Sequence, residues 1–503
     1  MAAHMTRRRF LTEGAGLAAC LVGSIGNSSL ADPAKSPNSS GAVRSEGGEL
    51  VDTSVRALAA AIRAKKLSSF ELVQAYLDRI EEVNPWLNAV VNLTAESALT
   101  EARKADTMLM QGKITGPLHG VPMTLKDSLN TAGVVTTWSV PGRSGYLPSR
   151  DATVVARLKG AGAILLGKTN TPELTLSFET NSPLFGPTNN PYDVDRTAGG
   201  SSGGAAAIVA ASGSAFDIGS DTGGSVRVPS HCCGVAGIRP TSGRVPRTGN
   251  AIGPGGLLDS LTSIGPIARY VEDLSLILSV ISGPDPCDPA TVPMPIELST
   301  RTSVKTLRGT FHTDNGISAP DQETVAAVVK AVRVLERAGM QFEELRPPGI
   351  GETMEVFMDL MNWDGGAWRN HLLKQAGSEA AERQAARGKQ NLSAEHLIGM
   401  IDRWDRYRAR MLGFLAPYDL LICPANARPA MRHGSSQDNL DAFSHTIAYS
   451  LTDWPAAVVR AATSPQGLPI GIQCVAQPWR EDIALAAARQ IESEIGGWQS
   501  PSI

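Results

Sequence analysis

The chain carries no excess of positive charge: its formal net charge is −3 and its sequence pI is near 6.3. Binding a phosphate backbone needs clustered lysine and arginine. Here the basic residues are scattered, so nucleic acid is excluded as the main partner. Cysteine is scarce too, with six in 503 residues. Cys20 falls in an N-terminal apolar run; the other five, Cys232, Cys233, Cys287, Cys423 and Cys474, are odd in number and irregularly spaced. They form no disulfide framework, and no Cys-x-x-Cys pair marks a zinc site. Free, mostly buried thiols are expected, and nothing calls for a metal or another cofactor. Charged residues reach only 19% against 42% hydrophobic, the reverse of a disordered chain's balance. No internal repeat is apparent.

What is present begins with Thr6-Arg7-Arg8-Arg9-Phe10-Leu11, leading into a small-residue apolar run from Gly14 to Gly26 and then Ser29-Leu30-Ala31. A basic segment, an apolar segment and a small-residue end make a cleavable export signal, here of the twin-arginine type. The run is too short to span a membrane. Residues 1–31 are therefore expected to be a signal peptide and the mature protein to be periplasmic or secreted, with no stable membrane span. Residues 32–53, rich in Ser, Gly, Pro and Ala, read as a flexible linker.

From Ser54 onward the apolar positions recur at three and four residues: Val55, Leu58, Ala59 and Ile62, then Phe70, Val73, Tyr76, Leu77 and Ile80. This predicts two amphipathic helices opening a domain over 54–495. Ala152 to Lys159 reads as a helix handing over at Gly160 to the buried strand Ala163-Ile164-Leu165-Leu166. Alternating helices and strands predict an α/β fold, a single large domain with a central mixed β-sheet covered on both faces by α-helices. The Gly-, Ser- and Thr-dense stretch 186–265, anchored by short apolar segments, reads as loops pinned onto the sheet and as the place for a site. A long helical section, about 352–415, carries Met354, Phe357, Met358, Met361, Trp363 and Trp368, candidates for an apolar pocket wall. Trp138 and Tyr146 are a second pocket candidate.

Two motifs are decoys. Gly162-Ala-Ile-Leu-Leu-Gly167-Lys168-Thr169 spells a phosphate-binding loop, but a loop whose amides converge on an anion does not consist of apolar strand formers. Gly199-Gly200-Ser201-Ser202-Gly203 spells the nucleophile elbow of a Ser-His-acid esterase, with His433 or His445 as the late histidine. The preceding Asn189-Asn190-Pro191-Tyr192-Asp193 reads as turn and loop and lacks the apolar strand that the elbow requires.

A third constellation is more specific. Lys126 follows the apolar stretch Gly120-Val121-Pro122-Met123-Thr124-Leu125, the glycine-rich segment 199–204 comes later, and Ser225 stands in Asp221-Thr222-Gly223-Gly224-Ser225-Val226-Arg227. Together with Cys233-Gly234, Gly237 to Thr241, Gly265 to Arg269 and Gly467 to Gln473, these blocks resemble the amidase signature family across most of residues 55–490. The resemblance implies an amide hydrolase with a Ser-Ser-Lys triad: Ser225 as acyl-accepting nucleophile, Ser201 as bridging serine after a cis Gly200-Ser201 peptide, and Lys126 as general base. It places the oxyanion hole at the amides of Thr222, Gly223, Gly224 and Ser225, and makes Ser202, Asp221 and Arg227 supports, with Arg227 pairing Asp221.

The chemistry asks for those residue types. A serine hydroxyl needs a positioned base, and lysine serves only if burial brings its pKa down towards neutrality. A bridging hydroxyl lets one proton pass from nucleophile to lysine and return to the departing amine. Glycines before the nucleophile permit backbone that aims N–H groups at a tetrahedral intermediate. His231, Cys232 and Cys233 read as packing. Ala198, Ala205 and Arg239 depart from the commonest family pattern, and Asp453 to Val459 looks more like the fatty-amide and aryl-amide branches. The expected substrate is a neutral amide, hydrophobic or aryl, such as an N-acyl arylamine or a fatty amide, with ester or carbamate side activity. The alternative is the ammonia-generating subunit of an aminoacyl-tRNA amidotransferase. The sequence leaves monomer and homodimer open.

Overall fold

The computed structural model describes residues 48–256, 260–297, 302–378 and 393–503. The expected signal and most of the expected linker lie outside these. The linker's last six residues do not behave as one. Gly48–Val51 forms a short helix, α1, Val51 is buried, and its carbonyl accepts hydrogen bonds from Tyr76 Oη at 2.9 Å and Arg269 Nη2 at 2.6 Å. One helical turn is too short to display a period, which is why the domain starts earlier than the pattern implied.

The two expected helices follow. Ser54 caps α2 (Val55–Arg63), accepting from the Ala57 amide. Ser68 and Glu71 form a capping box at α3 (Ser69–Leu87), satisfying first-turn amides that have no partner inside a helix. Next come β1 (Val90–Leu93), α4 (Ala95–Met110), β2 (Pro122–Lys126), α5 (Thr153–Gly160) and β3 (Ile164–Thr169). β3 lies between β1, antiparallel, and β2, parallel. Residues 162–169 are thus a turn and a strand, with Lys168 buried inside it, and the phosphate-loop spelling is empty. Asn189–Asn190 and Asp193–Thr197 pair as a small antiparallel hairpin. The stretch expected as turn and loop does hold a turn at Pro191-Tyr192, flanked by two short strands outside the main sheet that no apolar alternation announced.

The rest of the chain builds that sheet: α6 (Gly203–Ala210), β4 (Phe216–Asp221), α7 (Arg227–Cys233), β5 (Ala236–Arg239), β6 (Ser263–Ala268), α8 (Val271–Ile281), β7 (Arg308–Phe311), α9 (Gln322–Arg337) and β8 (Gln341–Glu344). After α10 (Thr353–Asn362), α11 (Ala367–Gln375) and α12 (Ala394–Leu415) come β9 (Leu420–Pro424), α13 (Ser444–Ser450), β10 (Ala456–Thr463), β11 (Pro469–Ala476) and α14 (Glu481–Ile495). Eight strands run in the order β8-β7-β9-β11-β10-β5-β6-β4. β7 is parallel to β8 and β9, and the other pairs are antiparallel. The sheet is therefore mixed, as expected, and helices cover it on both faces.

The smaller sheet joins the larger through side chains. The Thr124 amide donates to Ser214 Oγ at 3.0 Å, and Thr124 Oγ1 and Thr169 Oγ1 both donate to Asp217 Oδ2, at 2.6 and 3.0 Å. This junction sets the Lys126 end of β2 beside the Asp221 end of β4. Helix α6 is buried along its whole length, which only small residues allow. A Cβ at Gly204 would stand 2.4 Å from the Asn170 amide nitrogen.

Candidate active site

Lys126 is fully buried at the end of β2. Its Nζ donates to Ser201 Oγ at 2.6 Å, to Ser220 Oγ at 3.0 Å and to the Ser220 carbonyl at 3.4 Å. Burial disfavours the ammonium and brings its pKa down to about 7, against the opposing pull of the Asp221 and Asp217 charges. A lysine so placed is partly neutral at physiological pH and can accept a proton.

Ser201 lies in the loop ahead of α6, and the peptide before it, Gly200–Ser201, is cis. Glycine is required at 200 because a Cβ there would come within 2.5 Å of the Glu179 amide. The neighbouring Ser202 amide donates to the Ser225 carbonyl at 3.1 Å, tying the two serine loops together. Ser225 sits between β4 and α7. Among the described residues its Oγ has no hydrogen-bond partner, so the link from Ser225 to Ser201 runs through backbone, while that from Ser201 to Lys126 is direct.

The loop 222–225 differs in one respect from expectation. Gly224 has φ +140°, and a Cβ there would meet Thr446 Oγ1 at 2.3 Å, so position 224 demands glycine. Gly223 has no positive φ. It is glycine because a Cβ would press on the rings of Phe178 and Phe357, at 3.1 and 3.3 Å. The Gly223, Gly224 and Ser225 amides donate to no protein acceptor among the described residues and are free to serve an oxyanion. The Thr222 hydroxyl is paired with Thr262 Oγ1 at 2.9 Å.

Asp221 holds this loop from behind. Its carboxylate accepts Arg227 Nε and Nη2, both at 3.0 Å, and the Val226 amide at 3.1 Å. Burial alone would raise its pKa, but the Arg227 charge and these hydrogen bonds outweigh that and hold it at about 2. Arg227 is fixed in turn by the Thr446 carbonyl, Gln473 Oε1 and Ser450 Oγ at 2.9, 2.9 and 2.6 Å. Sequence reasoning paired Arg227 with Asp221 and missed its other partners. It also missed Ser220, whose only signal was its place five residues before Ser225.

Ser225, Thr222 and Gly223 border a cavity of about 580 Å³, walled by Phe178, Phe357, Leu360, Met361, Trp363 and Trp368 among others. The wall anticipated in the helical section is thus present from Phe357 onward, on α10 and the start of α11. Phe178, stacked on Phe443 at 4.3 Å between centroids, was not anticipated. Trp138 and Tyr146 do not line this cavity. They enclose the Arg143 guanidinium, 3.6 and 3.7 Å from their ring centroids.

The decoy histidines bind neither serine. His433 Nδ1 lies 3.4 Å from Glu179 Oε1, and that contact raises its pKa. His445 is buried, with Nε2 3.1 Å from the Ser318 carbonyl, and burial pushes it down to about 4. His231 bonds the backbone of Gly471 and Arg428, as packing requires. Cys232, Cys233, Cys423 and Cys474 are free and buried, and Cys287 is free and exposed. Burial raises the Cys232 thiol to about 12 and holds the Cys233 thiol well above its ordinary value, so neither is a thiolate nucleophile. No group of side chains able to hold a metal occurs among the described residues, nor any helix long and apolar enough to cross a membrane.

Comparison with known proteins identifies the family. The amidase family model matches residues 71–485, and the chain belongs to that family. It is 34% identical over 479 residues to a glutamyl-tRNA(Gln) amidotransferase subunit of Carboxydothermus hydrogenoformans, covering 88% of this chain and 97% of that one. It is 36% identical over 458 residues to indoleacetamide hydrolase of Bradyrhizobium diazoefficiens, covering 87% and 86%. A bacterial aryl acylamidase of known structure superimposes with a TM-score of 0.79 at 27% identity, covering 88% and 96%. The protein is an amidase, an enzyme acting on C–N bonds.

Proposed function

We propose that the protein hydrolyses small amides, neutral at the scissile group and hydrophobic or aryl beside it, through an acyl-enzyme on Ser225. The observation that carries this reading is the 2.6 Å contact between buried Lys126 and Ser201, in a loop tied through the Ser202 amide to Ser225 on the wall of a mostly apolar cavity. Neutral Lys126 takes the Ser201 proton as Ser201 takes that of Ser225, and Ser225 Oγ attacks the carbonyl carbon. The developing oxyanion is met by the free amides of loop 222–225. The proton then returns along the same path to the amine as the C–N bond breaks, and water repeats the cycle on the ester, with Asp221 and Arg227 holding the loop throughout. Esters and carbamates fit the same chemistry. The names of the indoleacetamide and aryl acylamidase relatives support the aryl preference.

The test is intact-mass detection of an acyl adduct after mixing with an activated anilide. The adduct is expected on the native protein and absent from Ser225→Ala; an adduct that survives the substitution refutes the assignment. The second reading, an ammonia-generating component of a larger enzyme, is favoured by the likeness to the tRNA-dependent amidotransferases. It requires a stable complex with a second protein and dependence on glutamine. Export rests on residues 1–31 alone, and replacing Arg7 and Arg8 by lysine should retain the protein in the cytoplasm.

A further inference from the structure

The cavity beside Ser225 is apolar over most of its wall, yet two charged residues line it, Asp364 and Arg369. Their situations differ. Asp364 is occupied by its own chain: Oδ1 accepts the Gly366 amide at 2.8 Å and Oδ2 the Trp368 amide at 2.7 Å, capping the start of α11. Arg369, one residue beyond Trp368 in that first turn, is half-buried and has no such partner among the described residues. Among the described residues it forms no ion pair, and its Nε is buried without a hydrogen-bond acceptor. The adjacent Asn370, also on the wall, has a buried Oδ1 with no donor.

Several arginines buried more deeply here are matched by carboxylates: Arg227 with Asp221, Arg244 with Glu481, Arg247 with Asp288. A guanidinium on an apolar wall, with its Nε shut off from water and given no acceptor, is costly. The cost is offset when the occupant brings an acceptor, and a guanidinium fork suits a carboxylate best. We infer that Arg369 is a specificity residue, and that the preferred substrate is an amide bearing a carboxylate on the part lying against the start of α11. This rests on the amidase reading of the site and narrows it: the scissile amide is neutral and its surroundings apolar, but the far end of the molecule is anionic.

The test uses two matched pairs. In one the leaving amine carries the charge, 4-acetamidobenzoate against 4-acetamidoacetophenone; in the other the acyl group does, succinanilic acid against the anilide of 4-oxopentanoic acid. The quantity read is the ratio of kcat/KM for carboxylate over ketone within each pair, which cancels general losses of activity. The native enzyme should favour the carboxylate in at least one pair by about tenfold or more, as expected for a charge-assisted bidentate contact in a cavity. Arg369→Met should bring that ratio close to one. Arg369→Lys, which keeps the charge and loses the fork, should fall between.

Ketones preferred in both pairs by the native enzyme, or a carboxylate preference untouched in Arg369→Met, overturns the inference. If an activated anilide acylates Ser225 while the ratios show no preference, only the role of Arg369 falls. If no adduct forms, the amidase chemistry of the site falls with it.

Discussion

Two fully buried lysines stand at the ends of neighbouring parallel strands, Lys126 on β2 and Lys168 on β3, with Lys126 and Thr169 in register. Burial lowers both, Lys126 to about 7 and Lys168 to about 8. Their partners separate them. Lys168 donates to the Leu129 carbonyl at 2.5 Å and to Thr131 Oγ1 at 2.9 Å, so its shortest contact is an acceptor that can only receive. Lys126 meets the hydroxyls of Ser201 and Ser220 at short range, and a hydroxyl can reverse the bond and donate to a neutral amine. One lysine fastens the loop after β2; the other is set up to exchange a proton. A lowered pKa alone does not distinguish them.

Removing each lysine should break the comparison in different observables. Lys126→Met is expected to have the largest effect, a loss of roughly 10⁴-fold in kcat/KM on an aryl amide, the scale seen when a general base is deleted, with little change in melting temperature. Lys168→Met should do the opposite. It strands a buried carbonyl and removes the cation next to Asp127, costing about 3 kcal/mol in denaturant unfolding, while the surviving folded fraction keeps the native pH profile. A pH profile altered as strongly as in a Lys126 variant would make Lys168 part of the chemistry. Ser201→Ala comes next, at about 10²- to 10³-fold, on the scale of a deleted proton-transfer group. His433→Ala should stay within about twofold, since a Ser-His mechanism is the only one in which it would abolish turnover.

What the sequence made legible follows the range over which each signal acts. Lys126, Ser201 and Ser225 each sit in a short block with its own glycines, so local spelling named them, and the amphipathic periods named the opening helices. The partners of Arg227 were illegible: Thr446, Ser450 and Gln473 lie more than 200 residues away and meet it only because β11 and α13 pack behind the loop. Phe178 was hidden likewise, being an isolated aromatic in a polar stretch. Trp138 and Tyr146 misled because two exposed-looking aromatics near a catalytic block suggest a pocket, whereas the arginine between them gave them another use. Gly223 shows a subtler failure, a glycine whose necessity lies in two rings rather than in its backbone.

The smallest effect concerns the residue the two lysines share. Asp217 lies between them, its carboxylate held by Thr124 and Thr169, and its charge raises both Lys126 and Lys168. Burial lifts Asp217 itself to about 6, against those hydrogen bonds, so it is mostly ionised around the midpoint at which Lys126 loses its proton. Because Lys126 must be neutral to act, kcat/KM should rise with pH and level off above a midpoint near 7. Asp217→Asn removes one negative charge that favours the ammonium, so Lys126 loses its proton more readily and the midpoint should move to lower pH. Asp221, the larger of the two charges acting on Lys126, remains in place, which limits the displacement to a few tenths of a unit at the effective dielectric of a protein interior. A titration of kcat/KM from pH 5.5 to 9 measures it. A midpoint that moves to higher pH, or one that follows Lys168→Met instead, would show that the group titrating in the rate is not Lys126.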